Sequence, residues 1–350
     1  MMTSVLLVLA GLSGGLLIYS HDAARRAEAD FPPLGSFVVV DGVRLHYLDS
    51  APGDDERQAI VMVHGASGNL RDFAVSIFDE LAQKYRVIAI DRPGHGYSER
   101  PSSDSVDAAW VTPEIQARLI HGAMRQIGVE KPVILGHSWG GAVVLAYALA
   151  FPADTGGGVV LSGASHPWRS KPAFHNRWPA IPVVGDIFVN TLVTPGFKLL
   201  SDAAIQRNFA PNSPPPDYAR KIGLPLLARP DNWRANAEDM RNLAGFLAQQ
   251  KKRYSTIDLP MTIISGDADR SVSPEIHSKR LHEAVPNSRL ILLPGVGHAP
   301  HHAQSQAVIA AVDSLSQHVA QLSQSGASVA QRTQQGGATV ASGNAPAPMP

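Results

Sequence analysis

The chain has 350 residues, of which 44% are hydrophobic and 17% charged, a composition typical of a folded globular protein that can bury a substantial core. Its formal net charge is zero and it has no long basic run, which argues against nucleic acid as a partner. The absence of cysteine excludes disulfides, thiolate metal sites and cysteine nucleophiles.

Residues 1–30 are predicted to be an N-terminal membrane anchor or signal segment. Residues 4–19 carry no charge and precede Arg25 and Arg26, a pattern typical of a membrane segment or a signal h-region. A basic n-region is missing, and the small-residue site AEA at 27–29 lies beyond the arginine pair. These features favour a membrane-anchored protein over one exported after signal cleavage, and leave the side of the membrane open.

Residues 31–164 are predicted to form the first part of an α/β core. Two alternating runs flank Asp41 and Gly42, a pair that tolerates the positive φ angles of a type I′ hairpin turn. Short apolar runs then alternate with helix-like stretches, with the apolar runs at 59–65, 86–94, 132–138 and 157–163. Strands buried on both faces and separated by helices predict a mostly parallel central sheet with helices on both faces.

Residues 165–258 lack a strand pattern and are predicted to form a helical cap insertion, because so long a stretch is atypical of a bare loop. Within it, residues 229–239 (RPDNWRANAED) predict nothing beyond a helix start. The second part of the core, 259–323, adds strand patterns at 261–269 and 289–298. The low-complexity tail, 324–350, is predicted to be disordered because it has too few bulky apolar groups to offset its ordering entropy.

The segment GHSWG at 136–140 fits the nucleophile-elbow pattern Gly-x-Ser-x-Gly between a strand and a helix. Such a turn lifts the Ser138 hydroxyl into the open at the amino end of the helix. An alcohol is a poor nucleophile near neutral pH, so Ser138 needs a base, and the base needs an orienting acceptor. His298 and Asp269 each come just past a predicted strand, and the carboxyl ends of parallel strands share one edge of the sheet.

No metal site and no cofactor are predicted. The sequence has no HExxH motif or comparable ligand spacing, and the adjacent pair His301-His302 is too short to form a metal cage.

From about residue 36 to 322 the sequence resembles the α/β-hydrolase superfamily, in particular its serine-nucleophile branch with a helical cap. The pieces that carry the resemblance are HGASGN (64–69), DRPGHGYSERP (91–101), GHSWGG (136–141), GDADRSVSP (266–274) and GVGHAPHH (295–302). The resemblance implies an α/β-hydrolase fold with Ser138 as nucleophile, His298 as general base and then acid, and Asp269 as the group that orients the imidazole.

The same resemblance separates true site residues from neighbours. The family's Gly-x-x-Asp spacing selects Asp269, whereas Asp267 is expected to cap the turn. It also implies that the oxyanion hole consists of the backbone amides of Ala66 and Trp139.

Four residues are candidates for the pocket: His64, His95, Trp168 and Trp178. For His64 a bracing role in the oxyanion loop is the favoured interpretation, and for the loop that contains His95 a structural role is favoured. The two tryptophans belong to an aromatic stock in and around the cap that could form an apolar acyl or alcohol site.

The predicted activity is hydrolysis of a carboxylic ester through an acyl-enzyme, on a small apolar ester substrate. Haloalkane dehalogenases and epoxide hydrolases of similar architecture attack saturated carbon with a carboxylate. Serine would form a stable ether with such a carbon, so both of these activities are disfavoured. The same triad could serve a lactonase, a hydrolase of carbon–carbon bonds or a cofactor-free perhydrolase.

Outside the enzymes, an alternative is a ligand-binding homologue that has lost turnover. A third hypothesis is an anchored enzyme that acts on membrane lipids.

Overall fold

The structure is a computed structural model that describes residues 2–101, 111–168, 173–181 and 183–338, with the backbone alone for 2–10, 180 and 326–338. The strands are β1 Ser36–Val40, β2 Val43–Asp49, β3 Ala59–Val63, β4 Arg86–Ile90, β5 Val133–His137, β6 Gly157–Leu161, β7 Met261–Gly266 and β8 Ser288–Leu293. The α-helices are α1 Met2–Asp30, α2 Arg71–Ala74, α3 Phe78–Ala82, α4 Pro113–Gln126, α5 Trp139–Ala150, α6 Phe174–Arg177, α7 Val184–Ile187, α8 Val193–Phe209, α9 Tyr218–Lys221, α10 Pro230–Gln250, α11 Ser278–Ala284, α12 Pro300–Ala303 and α13 Ser305–Ala338.

The eight strands form one sheet in the order β1-β2-β4-β3-β5-β6-β7-β8. The pairs β1–β2 and β2–β4 are antiparallel, and every pair from β4 to β8 is parallel. The hairpin between β1 and β2 turns at Asp41 and Gly42, whose φ angles of 51° and 77° are both positive, as a type I′ turn requires. Strand β3 pairs with β4 on one side and with β5 on the other, so the chain passes back over β3 between β4 and β5. This places the carboxyl ends of β3 and β5 next to each other at the centre of the sheet.

The central strands are buried on both faces, because helices cover each side of the sheet. On one face Val61, Ile88 and Ile134 of the strands lie in the same core cluster as residues of α4 and α5. On the other face Met62 and Leu135 belong to a cluster with residues of α3 and α13. This is the arrangement expected for a parallel sheet, and the predicted α/β-hydrolase fold class is confirmed.

The chain between β6 and β7 leaves the sheet, and its described residues form helices and 3-10 or π-helical turns without a strand. The longest of these helices is α10, which begins with Pro230 at its first position, where a missing N–H is tolerated and φ is already helical. This segment lies over the carboxyl ends of the strands through α10, as described below.

The carboxyl-terminal helix α13 continues to Ala338, which differs from the disordered tail predicted for 324–350. Its first half packs on the sheet through Val308, Val312, Leu315 and Val319, which recur at helical spacing. An established helix propagates cheaply, and residues 323–338 are rich in alanine, glutamine and serine and contain no proline, although they include glycine at 326, 336 and 337. Residues 339–350 lie outside the described residues.

The predicted anchor, 4–19, falls within α1, and the side chains of its first residues lie outside the described ones. Among the helices whose residues the structure describes, none combines the length and the apolar character needed to span a bilayer. Membrane attachment therefore stays a prediction at this point.

Candidate active site

Ser138 lies in the sharp turn between β5 and α5, with φ 52° and ψ −115°. A non-glycine residue rarely adopts a positive φ, and such strain is typical of functional sites. The turn is possible because glycines flank it: a β-carbon on Gly136 would collide with the Gly140 carbonyl, and one on Gly140 with the Val63 carbonyl. The turn therefore presents the Ser138 hydroxyl at the carboxyl edge of the sheet.

The structure brings Ser138, His298 and Asp269 into one chain of hydrogen bonds. The Ser138 hydroxyl donates to Nε2 of His298 over 2.9 Å, and Nδ1 of His298 donates to Oδ2 of Asp269 over 2.7 Å. The imidazole and the carboxyl group are both buried, with 4% of each residue exposed. The arrangement is that of a nucleophile, a base and an orienting acceptor.

Asp269 rather than Asp267 faces the imidazole. The second carboxylate oxygen of Asp269, Oδ1, accepts the backbone N–H groups of Ser271 at 2.8 Å and Val272 at 2.9 Å. Asp267 instead accepts the backbone N–H of Gly295 at 2.7 Å, as a turn cap would. Three donors thus fix the Asp269 carboxylate and, through it, the plane of the His298 ring.

Two side chains outside the predicted set hold the loop that carries His298. Nε2 of His137 donates to the His298 carbonyl oxygen over 2.8 Å, and Oδ1 of Asn212, which comes from the cap insertion, accepts the Gly297 N–H over 2.8 Å. The base is therefore positioned by the core and by the insertion together. His137 is the variable residue of the GHSWG motif, whose pattern assigns it no role, and Asn212 lies in no motif, so no local signal pointed to either contact.

The predicted oxyanion amides lie next to the nucleophile. A β-carbon built on Gly65 would stand 3.0 Å from Cβ of Ser138, so the backbone before Ala66 passes directly beside it. Within the described part of the chain, the Ala66 amide donates to no protein group. Trp139 occupies the first position of α5, where the amide has no intrahelical acceptor. Both N–H groups are free to bind a developing oxyanion.

Arg92 braces both of these elements from behind. Its guanidinium donates to the carbonyl oxygens of His64 at 3.0 Å and Gly65 at 3.3 Å, and it lies 4.3 Å from the centre of the Trp139 ring. The Arg92 amide donates to Nε2 of His64 over 2.9 Å. His64 therefore acts as a brace of the oxyanion loop, the interpretation favoured from the sequence.

The buried arginine is neutralised by the insertion. Nη1 of Arg92 donates to Oδ2 of Asp239 in α10 over 2.5 Å, and both side chains are fully buried. Arg100 donates to the other oxygen of Asp239 over 2.8 Å, and Gln116 donates to Oδ2 over 3.3 Å. An isolated buried charge would be very costly, so this network makes the position of α10 and of the oxyanion loop mutually dependent.

The four pocket candidates lie in different places. His64 and His95 are inaccessible to solvent, so neither lines an open pocket; burial and the Arg92 guanidinium hold the pKa of His95 well below its ordinary range. Trp178 lies on the outside of the cap, 44% exposed. Trp168 is half-buried with its ring edge towards His277. The physical reason is that the histidines complete hydrogen-bond networks under the loops, where a substrate has no access.

The segment 229–239, which the sequence left unexplained, forms the face of the cap that meets the core. Asn232, Asn236 and Asp239 recur at helical spacing on α10 and are buried. The Asn232 side chain donates to the Gly94 carbonyl over 3.0 Å, and Asn236 exchanges hydrogen bonds with Ser67, accepting its N–H at 2.7 Å and donating to its hydroxyl at 3.1 Å. A polar stripe at i, i+4 and i+7 was the signal that could have identified this contact.

One further cluster lies beside the His298 loop. The Asp72 carboxylate accepts from Nε2 of His301 at 2.9 Å, Nε2 of His302 at 2.8 Å and the Tyr218 hydroxyl at 2.8 Å. Its three ligand-type side chains, Asp72, His301 and His302, converge closely enough to surround a metal ion. The hydrogen bonds to Asp72 account for their convergence, while Nδ1 of His301 is buried without a hydrogen-bond partner among the described residues. Burial opposes the charge on Asp72, but the facing histidines still hold its pKa well below the usual range.

The buried histidines predict acid sensitivity of the fold. Burial lowers the pKa of His277 to about 4 and that of His64 to about 3. Between the ordinary value near 6.5 and these values the unfolded chain binds more protons than the folded chain, so the free energy of unfolding falls as pH falls. For His277 this loss amounts to about 3 kcal/mol between pH 7 and pH 4. Urea unfolding at pH 7, 6 and 5 measures how the free energy of unfolding falls over the upper part of this pH range.

His277→Asn is expected to flatten that pH dependence by up to one proton, whereas His318→Asn, at an exposed position of α13, serves as the matched control and leaves it unchanged. Equal slopes for the two variants would contradict the assignment of the acid sensitivity to buried neutral histidines.

With this geometry in place, the chain can be compared with known proteins. The sequence profile of the Alpha/beta hydrolase family matches residues 60–311. A hydrolase of Bacillus subtilis strain 168, YugF, whose activity is uncharacterised, is 29% identical over 76% of this chain and 91% of its own length. The bifunctional esterase/perhydrolase DCH of Acinetobacter calcoaceticus is 27% identical over 76% of this chain and 93% of its own length.

Among solved structures, a thermophilic esterase from Thermogutta terrifontis superposes with a TM-score of 0.64, at 20% identity, over 81% of this chain and 99% of its own. At that identity the likeness concerns the fold. Because the family profile covers most of the chain, from β3 to α13, the protein belongs to the α/β-hydrolase family and is a hydrolase of that family.

Proposed function

We propose that the protein is a serine hydrolase that cleaves carboxylic esters through an acyl-enzyme on Ser138. The observation that carries the proposal is the unbroken path from the Ser138 hydroxyl to His298, 2.9 Å, and on to Asp269, 2.7 Å. A neutral imidazole at this distance can take the hydroxyl proton as the oxygen attacks, which is what an alcohol nucleophile needs.

The proposed reaction has two halves. The Ser138 oxygen attacks the ester carbonyl while its proton passes to Nε2 of His298, and the carbonyl oxygen becomes an oxyanion held by the amides of Ala66 and Trp139. The tetrahedral intermediate collapses as His298 protonates the leaving alcohol. Water then attacks the acyl-enzyme, gives a proton to His298 and releases the acid as that proton returns to Ser138.

The nucleophile argues for acyl carbon over alkyl carbon. A carboxylate nucleophile leaves an ester that water can split, whereas serine on a saturated carbon would leave an ether that the site could not turn over. The Acinetobacter relative is a bifunctional esterase and perhydrolase, which agrees with acyl transfer on this framework. Lactone, carbon–carbon bond and perhydrolytic substrates remain alternatives, because the same three groups serve each of them.

A panel of substrates tests the proposal. We expect release of p-nitrophenol from p-nitrophenyl butyrate and an intact mass increased by one butyryl group after rapid acid quenching, with the adduct mapping to Ser138. Faster turnover of a dienone acid than of any ester would favour the carbon–carbon bond hydrolase. A folded protein that a fluorophosphonate fails to label at Ser138 would favour the non-catalytic ligand-binding alternative.

A further inference from the structure

The described side chains in the amino half of α1, from 11 to 19, are mostly exposed, and none of them is fully buried. The helix carries no charged residue before Asp22, and Leu12, Leu17 and Ile18 are exposed to 60%, 47% and 67%. At about 100° per residue these three side chains point to three different sides of the helix. A helix that is apolar all round needs an apolar environment on every side.

This half of the helix also stands clear of the rest of the described chain. A β-carbon built on Gly11, Gly14 or Gly15 meets no atom within 4 Å. Farther along, Ser20 and Ala27 are buried, at 2% and 3% exposure, and α1 packs against the π-helical turn 188–192, the 3-10 turn 224–228 and α8, all of which belong to the cap. Helix α1 is therefore attached to the cap, and its amino-terminal end projects away from the cap.

The cap itself exposes a second set of large apolar side chains next to that attachment. Of the eighteen exposed large hydrophobic residues in the described chain, four lie in α1 and nine between positions 174 and 200. The latter include Phe174, Trp178, Ile187, Leu192, Leu199 and Leu200. Soluble monomers rarely expose so many large apolar groups on neighbouring elements, and such surfaces mark interaction sites.

The outer face of the cap, defined here as residues 174–200, is also nearly uncharged. Its charged residues are Arg177, Asp186 and Lys198, and the single acidic one, Asp186, is neutralised by Arg234 at 2.7 Å. The Trp178 ring lies against Phe174 and Phe188, so its exposed edge belongs to an aromatic cluster. A surface of aromatic and aliphatic groups without an unpaired carboxylate is compatible with anionic lipid headgroups.

We propose that the amino half of α1 and the outer face of the cap form one bilayer-docking surface, and that the site acts on esters of membrane lipids. A protein partner would cover one face of α1, whereas a bilayer surrounds all of its sides, which is what the three exposed directions require. The substrate part of this inference rests on the proposed ester hydrolysis.

The docking surface is connected to the active site through α10. Helix α6 and the 3-10 turn 178–180 pack against α10, and Asn236 of α10 holds Ser67 in the oxyanion loop. A docked cap therefore places the reactive edge of the sheet one helix away from the lipid surface. Lipid esters are the substrates that such a position supplies.

The absence of cysteine allows a clean spectroscopic test in the full chain. Single variants Ile187→Cys and Leu199→Cys on the cap, and Leu322→Cys on α13 as a control whose exposure, 49%, is close to the 54% of Ile187, are labelled with a nitrobenzoxadiazole fluorophore and mixed with phosphatidylcholine–phosphatidylglycerol vesicles. We expect severalfold brighter emission at 187 and 199, quenched by lipids with a nitroxide in the acyl chain, and no change at 322. Unchanged activity on p-nitrophenyl butyrate shows that each variant is folded.

Two results would overturn the docking surface. One is a fluorescence change at positions 187 and 199 no larger than that at position 322, in a protein that co-floats with the vesicles and is therefore bound to them. The other is a vesicle-independent rise in emission with protein concentration, which would assign the surface to a second copy of the chain. Repeating the measurement in Ser138→Ala separates docking from catalysis, since docking predicts the same fluorescence change in that variant.

The substrate class is tested by rates on vesicle-borne and on dissolved esters. Leu199→Glu is expected to lower hydrolysis of phospholipid esters in vesicles about tenfold and to leave p-nitrophenyl butyrate unaffected, whereas Leu322→Glu changes neither. Failure of the unaltered chain to hydrolyse vesicle lipids while it cleaves the dissolved ester would reject the lipid substrate and leave the proposed ester hydrolysis standing.

Discussion

Replacement of Ser138 by alanine is expected to lower kcat/KM for p-nitrophenyl butyrate by about ten thousandfold or more, because it removes the nucleophile from a chain of hydrogen bonds that acts as a unit. His298→Ala should cost about as much, and the double variant no more than either single one, since the second residue has nothing left to activate. Steady-state rates and fluorophosphonate labelling measure the effect.

The matched control is Ser162→Ala. Ser162 also has a positive φ, 43°, at the carboxyl end of the neighbouring strand β6, and among the described residues its buried hydroxyl has no hydrogen-bond partner. Its removal should leave the rate unchanged and the fold as stable or slightly more stable. Similar losses in Ser138→Ala and Ser162→Ala, or additive losses in the double variant, would refute the assigned nucleophile.

A second large effect is expected from Asp239→Ala. The substitution leaves the Arg92 guanidinium buried without its partner, which typically costs 3–5 kcal/mol of the free energy of unfolding. Because Arg92 also holds the carbonyls of His64 and Gly65, we expect kcat to fall about tenfold to a hundredfold as the oxyanion amides lose their fixed position. Urea unfolding and steady-state kinetics on a dissolved ester report the two effects separately.

Two comparisons make this prediction specific. Glu99→Ala breaks the Arg44–Glu99 pair, whose side chains are about half exposed, and should cost less than about 1 kcal/mol. The double replacement Arg92→Met with Asp239→Leu should regain part of the stability lost in Asp239→Ala, because it removes both buried charges, while kcat stays low. Full recovery of kcat in that double variant would show that the network only stabilises the fold.

The sheet and the chemical centre were predictable because their signals are local. The residue pair Asp41-Gly42 by itself predicts the turn type of the hairpin. The Gly-x-Ser-x-Gly spacing around Ser138 by itself predicts a tight turn, because that turn sterically requires glycine at two positions. His298 and Asp269 were placed by following a strand pattern, and the topology of a parallel sheet then brings strand ends together without further information.

The contacts between the cap and the core were not predictable in the same way. Arg92 and Asp239 lie 147 positions apart, and no local pattern links a DRPG loop to a helix in an insertion. The full burial of His95 has the same origin: the sequence favoured a structural role for its loop, but the groups that bury this histidine include Asp239 of the distant α10. The helical course of residues 324–338 likewise depends on the packed first half of α13.

The arrangement of the strands along the chain has a consequence for biosynthesis. The hydroxyl of residue 138 is made 160 positions before the imidazole proposed to activate it, and that imidazole follows β8, one of the two edge strands of the sheet. A growing or prematurely terminated polypeptide therefore contains the elbow without its base. On the proposed mechanism, hydrolytic activity arises only when the last strand joins the edge of the sheet, so an unfinished chain lacks that activity.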